Sequence, residues 1–169
     1  MAKSNESPKR EKSESDLNEK VLYVNRCSKV VKGGRKFSFS ALILVGDGKG
    51  RVGYGFAKAN ELTDAIRKGG EIARKSMIRI ENDGSTIPHE ILEKWDGAVL
   101  LLKPTPDGSG VIAGSKVRAV FELAGIKNVM AKNMGSNNPI NQIKVAFKAI
   151  LKLCNRNKIK QARTAGAIE

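Results

Sequence analysis

Cysteine and histidine are scarce in this chain of 169 residues, which has two cysteines and one histidine. Cys27 and Cys154 lie far apart and match neither a zinc-site spacing nor a disulfide framework. His89 has no Cys, Asp or second His near it in the sequence. We therefore expect reduced thiols, no metal site, no cofactor and no catalytic histidine.

Long apolar runs are also absent, since no stretch approaches the roughly 20 residues that a membrane-spanning helix needs. The first residues have no apolar signal core and are too acidic for a transit peptide. The sequence predicts a protein that stays in the cytoplasm or an equivalent compartment and has no membrane partner.

Aromatic residues make up only 5% of the chain, and acidic residues are outnumbered, because 31 Lys and Arg face 17 Asp and Glu. The formal net charge of +14 predicts a polyanionic partner, and the shortage of aromatic rings favours phosphate contacts over base stacking. Residues 21–58 hold eight basic residues and one acidic residue, and residues 86–169 hold thirteen and six. The positive charge is thus concentrated in two regions, and structured RNA is the favoured partner.

The segment Val21–Ala57 predicts a three-stranded antiparallel meander with strands at Val21–Val31, Phe37–Val45 and Arg51–Ala57. Glycine turns separate the strands, and we expect the amides and cationic groups there to be open to phosphate. The basic residues in or beside these turns are Lys32, Arg35, Lys36, Lys49 and Arg51. The run Gly48–Gly53 also fits the dinucleotide-binding spacing, but a strand and not a helix follows it, which argues against that site.

Helical periodicity from Asn60 to Ile80 predicts a helix that packs on the meander. Its expected inward residues are Ala65, Ile66, Gly69, Ile72, Ala73, Met77 and Ile80. The turn-forming residues Asn82–Ser85 then mark a domain boundary. Residues 1–19 have almost no large apolar groups and predict a disordered arm.

The second half predicts an α/β domain over residues 86–155 and a basic tail over residues 156–169. The expected elements are strands at Thr86–Ile91, Ala98–Lys103 and Ile126–Lys132, a turn at Pro104–Gly110, a helix ending at Gly125 and a helix from Pro139 to about Asn155. The last helix should bury Ile143, Ala146, Phe147, Ile150, Leu151 and Cys154, and expose a row of Lys144, Lys148 and Lys152. The fold class is therefore α+β with two small domains.

Four long motifs resemble the bacterial small-subunit ribosomal protein five family. They are Val24–Leu42 (VNRCSKVVKGGRKFSFSAL), Val45–Gly55 (VGDGKGRVGYG), Gly110–Gly114 (GVIAG) and Gly135–Asn141 (GSNNPIN), in the family's order. The resemblance covers about residues 20–153. It implies a double-stranded-RNA-binding-like domain over residues 20–85 and the family's own C-terminal α/β domain after it.

The resemblance further implies a structural role without catalysis: binding to small-subunit ribosomal RNA, contacts with ribosomal proteins four and eight and with mRNA near its entry channel, and effects on assembly and translational accuracy. No small-molecule substrate is expected. The implied RNA-binding residues are Arg26, Ser28, Lys29, Lys32, Gly33, Gly34, Arg35 and Lys36 in the first loop. We also expect Lys49, Arg51 and Lys58 of the same basic meander to bind RNA. The implied interface toward ribosomal protein four comprises Asp107, Gly108, Ser109, Gly110 and Arg118.

Two alternatives stay open at this point. A free-standing RNA-binding regulator could use the same sheet on another RNA. A small-molecule kinase could hold a phosphate at Pro106–Gly110, although the chain offers no paired acid and no metal-binding cluster around that turn.

Overall fold

The computed structural model describes residues 17–80 and 85–153. The predicted arm up to residue 16, most of the predicted boundary turn and the basic tail, together with Cys154, lie outside the described residues. The remainder has the α+β organisation in two domains that the sequence predicts.

The N-terminal domain is built on a four-stranded antiparallel sheet in the order β1-β2-β3-β4. The predicted meander is confirmed as β1 (Asn18–Val31), β2 (Gly34–Gly46) and β3 (Arg51–Ala59). The short strand β4 (Ile78–Arg79) completes the sheet by pairing with the start of β3. Because β1 begins at Asn18, the predicted arm of residues 1–19 was drawn slightly too long.

Helix α1 (Leu62–Lys75) packs on this sheet as predicted but ends before Ile80. Ser76 follows its last turn, and the Ser76 hydroxyl donates a hydrogen bond to the Tyr54 carbonyl oxygen at 2.8 Å. The chain then leaves the helix, so that Ile78 joins β4 instead. Ile72 was expected to face inward but is 45% exposed.

The contact between α1 and β3 is so close that it requires glycine on the strand. A Cβ at Gly55 would overlap the carbonyl oxygen of Gly69 and lie 2.8 Å from the Ala73 amide nitrogen. The helix therefore faces the sheet with its smallest residues, Ala65, Gly69 and Ala73, all of which are buried. This narrow stripe explains why the bulkier Ile72 lies off the contact face.

The C-terminal domain contains a second sheet in the order β5-β6-β8-β7. Its strands are β5 (Ile91–Trp95), β6 (Ala98–Pro104), β7 (Val111–Ile112) and β8 (Val129–Gly135). The predicted strand Thr86–Ile91 is wrong, because Thr86 makes only an isolated bridge to Asn128 and the strand starts where the prediction ended. The predicted strand from Ile126 begins at Val129, and the unpredicted β7 pairs in parallel with it.

Two helices cover this sheet, α2 (Ser115–Ala124) and α3 (Pro139–Lys152). The predicted caps are confirmed: Gly125 ends α2 in the left-handed conformation, and the Asn138 side chain accepts a hydrogen bond from the Ile140 amide at 3.1 Å. Of the described residues in the predicted stripe of α3, Leu151 is 66% exposed and the others are buried, namely Ile143, Ala146, Phe147 and Ile150. Its last helical residue is Lys152 and not Asn155.

Both faces of the first sheet are covered around β2, one of its two inner strands. Ala41, Ile43 and Val45 pack with α1, whereas the alternate residues Leu42 and Leu44 belong to a larger core that they share with α2, α3 and the second sheet. The apolar run in β2 is therefore continuous because each face of the strand meets a different layer.

Candidate nucleic-acid interface

The clearest candidate surface is the outer part of the β1–β2 hairpin. β1 pairs with β2 all the way to Val31 and Gly34, whereas β3 pairs with β2 only from Phe39 onward. The hairpin thus continues beyond the third strand as a two-stranded ribbon. The register joins Val31 to Gly34, so Lys32 and Gly33 form a two-residue turn at its tip.

The glycines at this tip are needed for backbone conformation and not for space. Gly33 has φ 97° and Gly34 has φ 147°, and a Cβ at either position would meet nothing within 4 Å. Residues other than glycine rarely adopt these φ values. The tip can therefore turn tightly while its outer surface stays open.

The hairpin collects most of the residues that the sequence assigns to RNA binding, and all of them are exposed. These residues are Arg26, Ser28, Lys29, Lys32, Gly33, Gly34, Arg35 and Lys36. No acidic residue lies between Glu19 and Asp47 in the sequence. Cys27 is an exposed free thiol on the same ribbon. The result is a projecting element that carries charge of one sign.

Strand register divides these residues between two faces, because directly paired residues share a face of an antiparallel ribbon. Lys29 pairs with Lys36 on one face, which also carries Lys58 of β3 opposite Ser40. On the other face Ser28 pairs with Phe37.

Arg26 and Phe37 form a stack on this second face. The Arg26 guanidinium carbon lies 3.8 Å from the centroid of the Phe37 ring, and the ring is 44% exposed. Phe37 was predicted as a strand residue but not as part of the site. The register set by the two-residue turn was the signal that could have placed it diagonally next to Arg26.

The second glycine turn, at Asp47–Gly50, differs from the prediction. The Gly48 amide donates to the Leu123 carbonyl oxygen at 2.9 Å, and the Gly50 amide donates to the Ala124 carbonyl oxygen at 2.8 Å. These amides bind the C-terminal end of α2, so the expectation that they are open to phosphate is wrong. Lys49 and Arg51 therefore lie on a turn that is docked against the C-terminal domain.

Asp47 holds this turn together. Its carboxylate accepts hydrogen bonds from the Lys49 amide at 2.8 Å, the Arg51 amide at 2.9 Å and the Arg51 Nε at 2.7 Å. Burial acts to raise the pKa of Asp47, but the hydrogen bonds from Arg51 and Lys49 outweigh it and hold the pKa below its ordinary value. The Arg51 guanidinium is thus already engaged in an ion pair within the chain.

The turn assigned to a protein interface, Asp107–Gly110, is fixed from beneath by Asn128, which is only 5% exposed. The Asn128 side chain donates to Asp107 Oδ1 at 3.0 Å and accepts from the Gly110 amide at 3.1 Å. Ser85 donates to the same Asp107 oxygen. Gly108 and Ser109 are left exposed at the top of the turn. Sequence reasoning missed the roles of Asn128 and Ser85, because both depend on contacts that are remote in sequence.

Arg118 lies elsewhere, in a cleft of about 350 Å³ between β1 and α2. The cleft is also lined by Lys20, Lys116 and Glu122, and Lys20 Nζ lies 3.0 Å from Glu122 Oε2. Since β7 separates the Asp107–Gly110 turn from α2, the turn does not lead directly into a helix N-terminus. The arrangement that a kinase-like phosphate site would need is not formed.

The predicted row of exposed lysines on α3 is largely engaged within the chain. Lys148 Nζ lies 3.3 Å from Glu93 Oε2 and donates to the Lys94 carbonyl oxygen at 2.8 Å. Lys152 forms an ion pair with the other Glu93 oxygen. The hydrogen bond from Lys152, assisted by Lys148 and opposed by burial, lowers the pKa of Glu93. This row therefore stabilises the contact between β5 and α3.

Within residues 17–80 and 85–153, no group of three or more His, Cys, Asp and Glu side chains is placed to hold a metal ion. His89 instead makes a local contact, with its Nδ1 2.9 Å from the Glu90 carbonyl oxygen. Among the same residues, no helix is long and apolar enough to cross a membrane.

Comparison with known proteins assigns both halves of the chain. Residues 17–81 match "Ribosomal protein S5, N-terminal domain" and residues 93–163 match "Ribosomal protein S5, C-terminal domain". The small ribosomal subunit protein uS5 of Protochlamydia amoebophila is 76% identical over 165 residues, which cover 96% of this chain and 99% of that protein. The uS5 proteins of Chlamydia felis (69%) and Chlamydia trachomatis serovar D (63%) match over 151 residues, or 89% of this chain and 92% of theirs. The chain therefore belongs to the ribosomal protein S5 family, whose members are named small ribosomal subunit protein uS5.

Proposed function

We propose that this chain is a structural constituent of the small ribosomal subunit and that its β1–β2 hairpin binds small-subunit ribosomal RNA. The observation that carries the proposal is the projecting ribbon with exposed basic residues on both faces and no acidic residue between Glu19 and Asp47. The family to which the chain belongs is structural and not enzymatic.

The physical basis is phosphate neutralisation. Each cation that contacts an RNA phosphate releases condensed counterions, so that affinity falls steeply with salt. A protein that recognises folded RNA uses contacts with phosphates and 2′-hydroxyl groups and needs few aromatic side chains. Arg26, Lys29, Lys32, Arg35 and Lys36 supply the cations on the hairpin, and Lys58 lies further along one of its faces. Lys49 and Arg51 contribute from the docked turn.

The protein partners are proposed to be ribosomal proteins four and eight, and the chain lies near the entry channel of mRNA. The proposed contacts with ribosomal protein four are the Asp107–Gly110 turn and, at a separate place, Arg118 in the cleft between β1 and α2. An exposed turn held by the buried Asn128 suits a rigid contact that influences translational accuracy. As part of a bacterial ribosome, the protein acts in the cytoplasm.

A charge-reversal variant tests the RNA contact. Arg35→Glu with Lys36→Glu should weaken filter binding to small-subunit ribosomal RNA and flatten its salt dependence, with an unchanged melting temperature. The control is Lys68→Glu with Lys75→Glu on the exposed side of α1, which changes the net charge by the same amount. Equal retention of RNA by both variants would contradict the assignment of the hairpin.

Sedimentation of a cell extract tests the ribosomal role. The wild-type chain should migrate with the small subunit in a sucrose gradient. A chain found only at the top of the gradient while still binding RNA would indicate a free-standing regulator.

A further inference from the structure

The two faces of the β1–β2 hairpin carry different chemistry. Lys29 and Lys36 are directly paired across the strands on one face. Like charges in directly opposed positions destabilise an antiparallel pair. The outer part of the hairpin has no acidic residue that could offset this repulsion, because none lies between Glu19 and Asp47 in the sequence. An anion bound between the two ammonium groups would relieve it.

The opposite face presents an arginine beside exposed apolar side chains. The Arg26 guanidinium carbon lies 3.8 Å from the centroid of the Phe37 ring, so the ring supports one side of the cation, while Arg26 itself is exposed. Val30 is 74% exposed on this same face and Phe37 is 44% exposed. This face therefore combines apolar area with a planar cation, which is the chemistry that stacks on a nucleobase.

We propose that the hairpin is a two-sided wedge between RNA segments. On one side Lys29 and Lys36 hold a backbone phosphate, and on the other the Arg26 guanidinium, positioned by Phe37, stacks on an unpaired base. This inference rests on the proposed function, since it requires that the hairpin binds RNA. A base is favoured over a protein segment because the ribbon has five basic residues between Arg26 and Lys36 and no acidic one.

The test uses the full-length protein and purified small-subunit ribosomal RNA, with affinity measured at several salt concentrations. Phe37→Leu keeps apolar volume but removes the ring, and Arg26→Lys keeps the charge but removes the plane. Each should weaken binding by about 5- to 50-fold with little change in salt slope, as expected for the loss of one stacked base. Lys29→Gln with Lys36→Gln should instead reduce the salt slope by about 1, because the two lysines share one phosphate.

Chemical probing of unpaired bases supplies the second readout. One base should be protected by the wild type and by Lys29→Gln/Lys36→Gln at saturation, but should regain reactivity with Phe37→Leu and with Arg26→Lys. The matched control for lost charge is Lys68→Gln with Lys75→Gln on α1, which should retain the wild-type affinity and protection pattern. Circular dichroism should show unchanged folding in all variants, because the ribbon lies outside both cores.

The possible outcomes distinguish failure of the wedge proposal from failure of the proposed function. If Lys29→Gln/Lys36→Gln lowers the salt slope but Phe37→Leu and Arg26→Lys bind and protect as wild type, the stacking half is wrong and the proposed function stands. If Phe37 crosslinks only to a neighbouring protein in intact subunits, stacking is likewise wrong. If the lysine pair behaves like the α1 control, the phosphate half is wrong. If every hairpin variant binds as wild type, the RNA-binding role proposed for the hairpin fails as well, whereas the ribosomal role is still tested by sedimentation.

Discussion

Asp47 binds Arg51 through both the side chain and the backbone of that residue. Arg51 Nε lies 2.7 Å from Asp47 Oδ2, and the Arg51 amide nitrogen lies 2.9 Å from Oδ1. The same carboxylate closes the turn whose glycine amides bind the carbonyl oxygens at the end of α2. One acidic side chain thus organises a junction between the two domains.

Replacing Asp47 should therefore destabilise the whole protein. Asp47→Ala leaves three donors without their acceptor, and we expect the free energy of unfolding to fall by about 1–3 kcal/mol. Urea denaturation measures the change. The control is Asp64→Ala, which removes an exposed ion pair with Arg67 and should cost less than about 1 kcal/mol. Equal losses in the two variants would show that the turn contributes nothing beyond a surface ion pair.

Acid sensitivity provides a second prediction. The folded-state pKa of Asp47 lies below its ordinary 3.8, and that of Glu93 lies below its ordinary 4.5. A carboxylate with a lowered folded-state pKa stabilises the fold fully above its unfolded-state pKa, and this stabilisation is lost as pH falls through the folded-state value. The difference in unfolding free energy between the wild type and Asp47→Asn/Glu93→Gln should be constant from pH 7 to about 5.5 and shrink below about 4.5. A difference that stays constant to about pH 2.5 would exclude both carboxylates as the source.

The close approach of α1 to β3 predicts that Gly55 does not tolerate a side chain. Gly55→Val would force a branched side chain into the carbonyl oxygen of Gly69, and overpacking of this kind typically costs about 1–3 kcal/mol. Gly97→Ala is the control, because its Cβ would make only an ordinary contact with Ser136 at 3.6 Å. Thermal melting should show a large decrease for the first variant and a small one for the second. Similar melting temperatures would mean that α1 shifts without cost.

The hairpin turn should matter for binding and not for stability. Gly33→Val places a branched residue at φ 97° and distorts the tip, yet the tip contributes to neither core. We expect a melting temperature within about 2 °C of the wild type and a clear loss of affinity for small-subunit ribosomal RNA. The matched control is Gly108→Val, at φ 89° in an equally open turn of the other domain. Equal RNA affinities of these two variants would contradict a specific role for the hairpin tip.

Asn128 should determine the order of the Asp107–Gly110 turn. Asn128→Ala removes a buried side-chain amide that binds Asp107 and the Gly110 amide. We expect the free energy of unfolding to fall by about 1–3 kcal/mol. Hydrogen exchange at Gly110 should accelerate, whereas the exposed Asn137→Ala should leave it unchanged. Unaltered protection in Asn128→Ala would show that Ser85 alone suffices to hold the turn.

Local patterns in the sequence predicted most of the regular elements. Alternation and glycine turns gave the meander, and Asn138, Pro139 and Gly125 marked helix ends that the structure confirms. The predictions of secondary structure were wrong where a contact with a residue distant in the sequence determines the local structure. Ile78 leaves the helical pattern because β3 offers it a strand partner, and β7 forms because β8 lies beside it.

The candidate site shows the same division. The basic residues around Gly33 could be read from the sequence, since their exposure needs only a projecting hairpin. The docking of Gly48 on α2 could not, because it depends on how the two domains meet. Lys148 and Lys152 likewise seemed to be free surface charges until β5 placed Glu93 beside them.

The strand β2 is one arm of the ribbon that we propose binds RNA, and its inner part is covered on both faces within the first sheet. The direction in which the ribbon points is consequently determined by the packing of Leu42, Ile43 and Leu44 deep inside the protein. We expect substitutions of those side chains to change the angle between the ribbon and the rest of the first sheet. Core substitutions should therefore cause defects in ribosome assembly like those of hairpin substitutions, even when every exposed residue of the hairpin is unchanged.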